Sequence, residues 1–96
     1  MSNKELQLIL NIFDFKEVKS NAIFYQKYSE AATARDKERD YESELVKFLG
    51  HNNSSDNIKI LNEYFIKNFD IEYPKKISNQ LKNNILRQIK LNNLGI

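Results

Sequence analysis

The sequence predicts an all-α protein, a small four-helix bundle with one long central helix. Three observations support this fold class. The 96 residues include only two Gly and one Pro, too few for the turns of a β-rich fold. The stretch 20–49 contains neither residue, so nothing in it has to end a helix. Apolar side chains elsewhere recur at the three- and four-residue spacing of helix faces.

Length and composition predict one helical domain spanning residues 1–96. The apolar fraction is 41%, and six Phe and five Tyr supply the aromatic residues of a globular core. The absence of cysteine excludes a disulfide framework and thiolate chemistry. No apolar run approaches the roughly 20 residues of a membrane span, and no signal peptide is recognisable. We therefore expect a complete, small cytoplasmic protein.

The first helix is predicted over residues 3–15. Its apolar residues follow the spacing i, i+3, i+4, i+7 of a core-facing stripe: Leu6, Ile9, Leu10 and Phe13. Further apolar residues widen this stripe, which favours a position at the centre of the core over a role as an interface. Residues 15–19 are interpreted as a connector, and Ser20 as the N-cap of the next helix.

The central helix is predicted over residues 20–49, with an apolar stripe near each end and charge between them. We expect the helix to pack against the rest of the fold at both stripes, which are Phe24, Tyr28 and Ala31, and then Tyr41, Leu45 and Phe48. Residues 35–40 are six consecutive charged residues, so we expect this part to cross solvent, with a kink near 35–38 as the alternative. The acidic residues, Glu38 and Glu42 among them, are interleaved with Arg and Lys, which favours a solvated face over a metal or acid–base site.

Two shorter helices follow. Gly50 suits the left-handed position after a helix, and Asp56 can cap a third helix over 56–69. Pro74 fits the first position of a fourth helix over 75–92. One face of that helix is apolar and the other is basic. The net charge of this C-terminal part is opposite in sign to that of the preceding chain. Residues 1–74 carry ten Lys/Arg and thirteen Asp/Glu, a net −3, whereas 75–96 carry five Lys/Arg and no acid, a net +5.

Residue patterns typical of catalysis are absent from the sequence. The single histidine, His51, is expected at a solvated helix end, and one histidine without cysteine does not make a zinc site of usual spacing. Gly50 and Gly95 stand apart, so there is no Gly-rich phosphate loop. We expect a non-enzymatic protein with no cofactor, no bound metal and no catalytic residue.

The favoured function is protein binding by a small regulatory protein, an adaptor or an inhibitor. Large apolar residues exceed what four short helices can bury, and Tyr and Phe are typical anchors of protein interfaces. The residues expected to be partly exposed for this purpose are Phe13, Phe15, Tyr25, Tyr73 and Leu86. The alternatives are that all of them belong to the core, or that they form the seam of a homodimer.

The second hypothesis is nucleic-acid binding by the basic face of the last helix. Basic side chains would contact phosphates and amide side chains would contact base edges. The candidate residues are Lys75, Lys76, Asn79, Lys82, Asn83, Arg87 and Lys90. The competing interpretation is that this face only complements the acidic N-terminal part of the same fold.

Two short segments resemble regulator-of-G-protein-signalling domains. The segment from Ser20 to Tyr25, Ser-Asn-Ala-Ile-Phe-Tyr, is similar to their Glu-Asn-Leu-x-Phe-Trp segment. Ile60-Leu61-x-x-Tyr64-Phe65 resembles a later Ile-Tyr-x-x-Phe/Tyr-Ile segment. Ser20 replaces the acid, Tyr25 replaces the tryptophan, and the sequence has no counterpart of the last two helices of the family. The resemblance implies, as a minor alternative, a divergent and truncated module of that family.

Overall fold

The computed structural model describes residues 2–50, 56–73 and 79–94. Within these ranges the chain forms four α-helices and no strand, so the all-α prediction is confirmed. The helices are α1 (Asn3–Phe24), α2 (Tyr28–Phe48), α3 (Asn57–Phe69) and α4 (Asn79–Asn93). None of the described helices is both long enough and apolar enough to cross a bilayer.

Helix α1 lies at the centre of the molecule, as its wide apolar surface predicts. A capping box starts it: the Glu5 backbone N–H donates to the Ser2 hydroxyl at 3.2 Å, and the Ser2 N–H donates to the Glu5 carboxylate at 3.3 Å. Leu6, Ile9 and Phe13 have almost no solvent contact. The expectation that Phe13 is partly exposed is therefore wrong, because its ring fills the core beside Phe65.

The boundary between the first two helices is not where the sequence predicts it. Helix α1 continues through the expected connector 15–19, and the chain turns at residues 25–27 instead. The predicted single helix over 20–49 is therefore wrong. Helix α2 runs without interruption through 35–38, and the kink expected there as an alternative is not confirmed. Neither the expected connector 15–19 nor the observed turn 25–27 contains Gly or Pro, the residues that usually mark the end of a helix.

A Schellman motif makes the turn. The Lys27 N–H donates to the Ala22 carbonyl oxygen at 2.7 Å, and the Gln26 N–H donates to the Ile23 carbonyl oxygen at 3.0 Å. Gln26 has φ of 58°, in the left-handed region where this motif usually places glycine. The motif therefore ends α1 at the cost of a side-chain-bearing residue in a disfavoured conformation.

Replacing Gln26 with Gly should stabilise the fold. A left-handed backbone costs a residue with a Cβ about 1–2 kcal/mol, and the greater flexibility of unfolded glycine offsets part of the gain. We expect the free energy of unfolding to rise by about 0.5–1 kcal/mol, measured by urea denaturation. The control is Gln26→Ala, which keeps the Cβ and should give no such gain. Equal stabilisation by both variants would show that the glutamine side chain, and not its backbone, is the source of the strain.

Helix α2 packs antiparallel against α1 along its whole length, including its charged middle. Ala31 and Ala34 are buried where the two helices meet near the turn. Farther along, Glu38 and Glu42 are buried and Leu45 is inaccessible. The expectation of a solvated charged face is therefore wrong for these two glutamates, which occupy the same helical stripe as the buried apolar residues.

Helices α3 and α4 pack on different partners. The Asp56 side chain caps α3, as expected, by accepting from the Lys59 N–H at 3.2 Å. Gly50 lies just after α2 with φ of 91°, which confirms its predicted left-handed position. Helix α3 packs on α2 and helix α4 packs on α1, so the arrangement expected of a four-helix bundle is not confirmed. Pro74 and the predicted start of the last helix at 75–78 lie outside the described residues, as does His51.

The core nevertheless contains residues from all four helices. Leu61 and Phe65 of α3 and Leu81 and Ile85 of α4 join the buried residues of α1 and α2 in one cluster. The far ends of α1 and α4 are also joined, since Asn3 exchanges side-chain hydrogen bonds with Asn92 and Asn93 at 2.9 and 2.8 Å.

Candidate functional site

The turn between α1 and α2 exposes a group of large apolar side chains. The exposed fractions are 52% for Ile23, 78% for Phe24, 68% for Tyr25 and 67% for Tyr28. The rings of Phe24 and Tyr25 meet edge to face with centroids 5.0 Å apart. We call these four residues the hairpin tip. Its geometry follows from the turn: the Schellman motif ends α1 directly after Phe24, and burial of Ala22 turns the following side chains away from the core.

An apolar groove lies beside the hairpin tip, between α1 and α2. Its volume is about 360 Å³. Its walls are formed by Phe15, Val18, Ser29, Glu30, Thr33 and Ala34. The ring of Phe15 is fixed by stacking on Tyr41, with centroids 5.7 Å apart. We call this feature the side groove. Small residues on α2 leave the space that Phe15 and Val18 only partly fill.

The surroundings of the hairpin tip carry little charge. Residues 20–34 include only Lys27 and Glu30, one of each sign. Both are exposed, Lys27 in the turn and Glu30 at the wall of the side groove. An apolar patch of this kind, rimmed by a few polar groups, is typical of an interaction surface.

Below the tip, three charged residues fix α1 against α2. The Lys16 ammonium donates to Glu38 Oε1 at 2.5 Å, and the Lys19 ammonium donates to Glu38 Oε2 at 2.8 Å. Lys16 is 6% exposed and Glu38 is 4% exposed. Burial by itself would raise the pKa of Glu38, but the hydrogen bonds and positive charges of the two lysines outweigh it and hold that pKa below its ordinary value. We call Lys16, Lys19 and Glu38 the buried charge network.

Tyr73 closes this network from the segment after α3. Its hydroxyl donates to Glu42 Oε2 at 2.6 Å, and the Lys16 ammonium lies 4.7 Å from the centre of its ring. Burial, followed by the negative charge of Glu42, raises the pKa of the Tyr73 phenol. No buried side-chain nitrogen or oxygen in the described ranges lacks a hydrogen-bond partner. The internal polar groups are thus used within the fold.

The residues predicted for protein binding are not in one place. Tyr25 belongs to the hairpin tip and Phe15 lines the side groove. Tyr73 is half-buried with its hydroxyl engaged, and Leu86 is exposed on α4. Sequence reasoning missed Phe24 and Tyr28, which were assigned to a core stripe. The signal that could have revealed them is the competing stripe of Ala31, Ala34, Glu38 and Leu45, which turns Tyr28 away from α1.

The residues predicted for nucleic-acid binding are only partly available. Lys82 pairs within the fold: its ammonium lies 3.0 Å from Asp14 Oδ1 and 3.5 Å from Glu17 Oε2. The hydrogen bond to Asp14 is the main cause of its raised pKa. The exposed candidates are Asn79, Asn83, Arg87 and Lys90. Lys75 and Lys76 lie outside the described residues.

Across residues 2–50, 56–73 and 79–94 there is no group of three or more His, Asp or Glu side chains placed to hold a metal ion. Comparison of the chain with protein-family models, with curated proteins and with solved structures finds no match.

Proposed function

We propose that this chain is a small, non-enzymatic regulatory protein that binds another protein through the hairpin tip, acting as an adaptor or inhibitor in the cytoplasm. The observation that carries the proposal is the exposure of three neighbouring aromatic side chains, each about two-thirds exposed or more: Phe24, Tyr25 and Tyr28. Large aromatic residues are the commonest anchors of protein interfaces, and here they form a patch and are not scattered.

The area of the tip is sufficient for such a role. A fully buried aromatic side chain removes about 150–250 Å² from water, so three that are about two-thirds exposed offer on the order of 300–500 Å². Ile23 and the apolar walls of the side groove add to this area. One side of a standard interface buries about 800 Å², and weaker complexes bury less. The tip and groove together fit the lower part of that range.

The tip is also well supported by the structure beneath it. The Schellman motif fixes the turn, and the buried charge network ties α1 to α2 about two helical turns from Phe24. A surface fixed before binding loses little conformational entropy when a partner arrives. The tip can therefore contribute most of its buried area to affinity.

Truncation of the tip should abolish capture of the partner. We expect the double variant Phe24→Ser/Tyr25→Ser, used as affinity bait, to lose a protein that the wild-type chain retains, because hot-spot aromatics contribute 2 kcal/mol or more each, roughly 30-fold in affinity. The retained protein is identified, purified and titrated against both baits. The matched control is Ile58→Ser, which removes a large apolar side chain, 55% exposed, from α3.

Salt dependence separates this function from charge-driven binding. The affinity of a complex held by Phe24 and Tyr25 should change little between about 50 and 200 mM salt. If the tip variant binds every captured protein as tightly as wild type does, while Ile58→Ser does not, the binding surface lies on α3 and the proposal is wrong.

Nucleic-acid binding by α4 is a second candidate, favoured by one observation. The helix over Asn79–Asn93 contains no acidic residue, and Arg87 and Lys90 are exposed on it. Because Lys82 is paired with Asp14 and Glu17, it would contribute less than these two. Fluorescence anisotropy with labelled oligonucleotides tests this candidate. Binding should weaken steeply with salt and fall on Arg87→Ala, while Phe24→Ser/Tyr25→Ser should leave it unchanged.

A further inference from the structure

We infer that the partner of the hairpin tip is a second copy of this chain, with the tip aromatics of each copy seated in the side groove of the other. This inference rests on the proposed function and names its partner. The observation behind it is that one end of the molecule carries both a protruding apolar group and an apolar groove. Phe24 and Tyr25 form the protrusion, and Phe15, Val18 and Ala34 line the groove.

The groove is large enough for a ring of the tip. Its volume is about 360 Å³. Because the groove is open to solvent along one side, a phenyl or phenol group can lie in it while its attachment to the backbone stays outside. The lining is mostly apolar, and Ser29, Thr33 and Glu30 place hydroxyl and carboxylate groups at the wall. A tyrosine hydroxyl entering there would meet hydrogen-bond partners.

The position of the two features favours a closed dimer. When a protrusion and its complementary pocket lie on different sides of a molecule, repeated docking generates open chains. Here both lie at the turn end of the α1–α2 hairpin, since the groove is bounded by Ser29 and Glu30 directly after the turn. A two-fold axis through this end makes both contacts at once, and no complementary surface is left for a third copy.

Charge does not oppose this contact. Two-fold symmetry brings each surface against itself, so a patch of one sign would repel its own copy. The segment 20–34 carries one positive and one negative residue, Lys27 and Glu30. When the turn of one copy docks on the side groove of the other, Lys27 of the first copy faces the groove wall of the second copy, which contains Glu30. Opposite charges at such a rim contribute little energy but favour this orientation.

The buried area sets the expected affinity. With both copies counted, the tip aromatics remove on the order of 600–1,000 Å², and Ile23 with the groove walls brings the total above the roughly 1,000 Å² of a specific interface. Interfaces of this size without a large hydrophobic centre are weak. We therefore expect a reversible dimer with a dissociation constant of about 1–100 µM.

Sedimentation equilibrium over a concentration series tests the dimer. The wild-type chain should shift from monomer to dimer in the micromolar range. Phe24→Ser/Tyr25→Ser removes the protrusion and Val18→Glu charges the groove, and each should raise the dissociation constant by about 30-fold or more. Leu91→Ser, an apolar position on α4 that is as exposed as Val18, is the control and should leave it unchanged.

Mixing the two defective variants gives the sharpest result. A dimer between one protrusion-deficient copy and one groove-deficient copy keeps one of the two reciprocal contacts, whereas each variant alone keeps neither. The mixture should therefore associate more tightly than either variant by itself. Dimerisation lost on Leu91→Ser but retained in both other variants would overturn the inference. A wild-type chain that stays monomeric up to about 1 mM also overturns it, and leaves capture of a different protein by the tip to be decided by the bait experiment.

Discussion

Replacing Glu38 with Ala should lower the free energy of unfolding by about 3–5 kcal/mol, the usual cost of leaving a buried charge without its partner. Glu38 accepts from Lys16 and Lys19, and Lys16 is only 6% exposed. Lys19 is more exposed and can turn toward water, but Lys16 lies under the ring of Tyr73 and cannot do so without opening the core. Urea denaturation of the purified variant measures the loss.

The matched control removes both buried charges. The double variant Lys16→Met/Glu38→Leu replaces the pair by apolar side chains of similar length, and we expect it to be as stable as wild type or up to about 4 kcal/mol more stable. The contrast with the single variant isolates the unpaired ammonium as the cause of the loss. If Glu38→Ala costs less than about 1 kcal/mol, Lys16 reaches water in the folded protein and the network is less buried than described.

The same network contributes to the loss of stability in acid. The pKa of Glu38 lies below its ordinary value of 4.5 in the folded chain, so the folded state binds its proton less readily than the unfolded state does. The contribution of Glu38 to stability is therefore complete above about pH 4.5 and is lost as the pH falls through the lower folded-state pKa. In the double variant this part of the acid transition should be missing from the stability–pH profile.

Phe65→Ala is the second substitution with a large expected effect, a loss of about 3–5 kcal/mol. Phe65 is 1% exposed and its ring contacts four other aromatic rings. These rings are Phe13, Tyr64, Phe69 and Tyr73. Because they come from α1, from α3 and from the segment after α3, the cavity left by alanine would loosen three parts of the fold at once. Thermal unfolding followed by circular dichroism measures the effect.

Two controls separate the cavity from helix propensity. Ile66 follows Phe65 in α3, but its side chain is exposed. The control Ile66→Ala should therefore change the free energy of unfolding by less than about 1 kcal/mol. Phe65→Leu keeps much of the volume and should recover part of the loss. Equal destabilisation by Phe65→Ala and Ile66→Ala would mean that α3 is held by its own helix-forming tendency and not by the aromatic cluster.

Much of the fold could be predicted from helical periodicity and capping residues. The stripe of Leu6, Ile9 and Phe13 and the cap positions of Gly50 and Asp56 depend on local geometry, which the sequence specifies directly. The turn at 25–27 could not be predicted in this way, because it places Gln26 in a left-handed conformation that normally favours glycine. Residues 3–49 contain neither Gly nor Pro, so no residue in this stretch marks the end of a helix. Tertiary packing therefore decides where the turn lies.

The candidate site was found only in part for a related reason. Periodicity assumes that core positions are apolar, so it places Glu38 and Glu42 in solvent and Phe24 and Tyr28 in the core, the reverse of what the structure shows. Burial of Glu38 requires a lysine on the facing helix, and that pairing joins residues 22 positions apart. Once the charged residues occupy the helix interface, the aromatic residues next to the turn are left on the surface. Tyr25 alone of the tip residues was predicted as a contact.

The amide hydrogen bonds between Asn3 and Asn92 and Asn93 bring the two ends of the described chain together, about 33 Å from the hairpin tip along the 22 residues of α1. Fluorescent labels at either end therefore leave the tip accessible. In a dimer with each tip in the partner's side groove, the labelled ends of the two copies would point outward, on the order of 50 Å apart. Efficient energy transfer between them would instead indicate association through α4, so a single labelling scheme reports which end of the molecule is used.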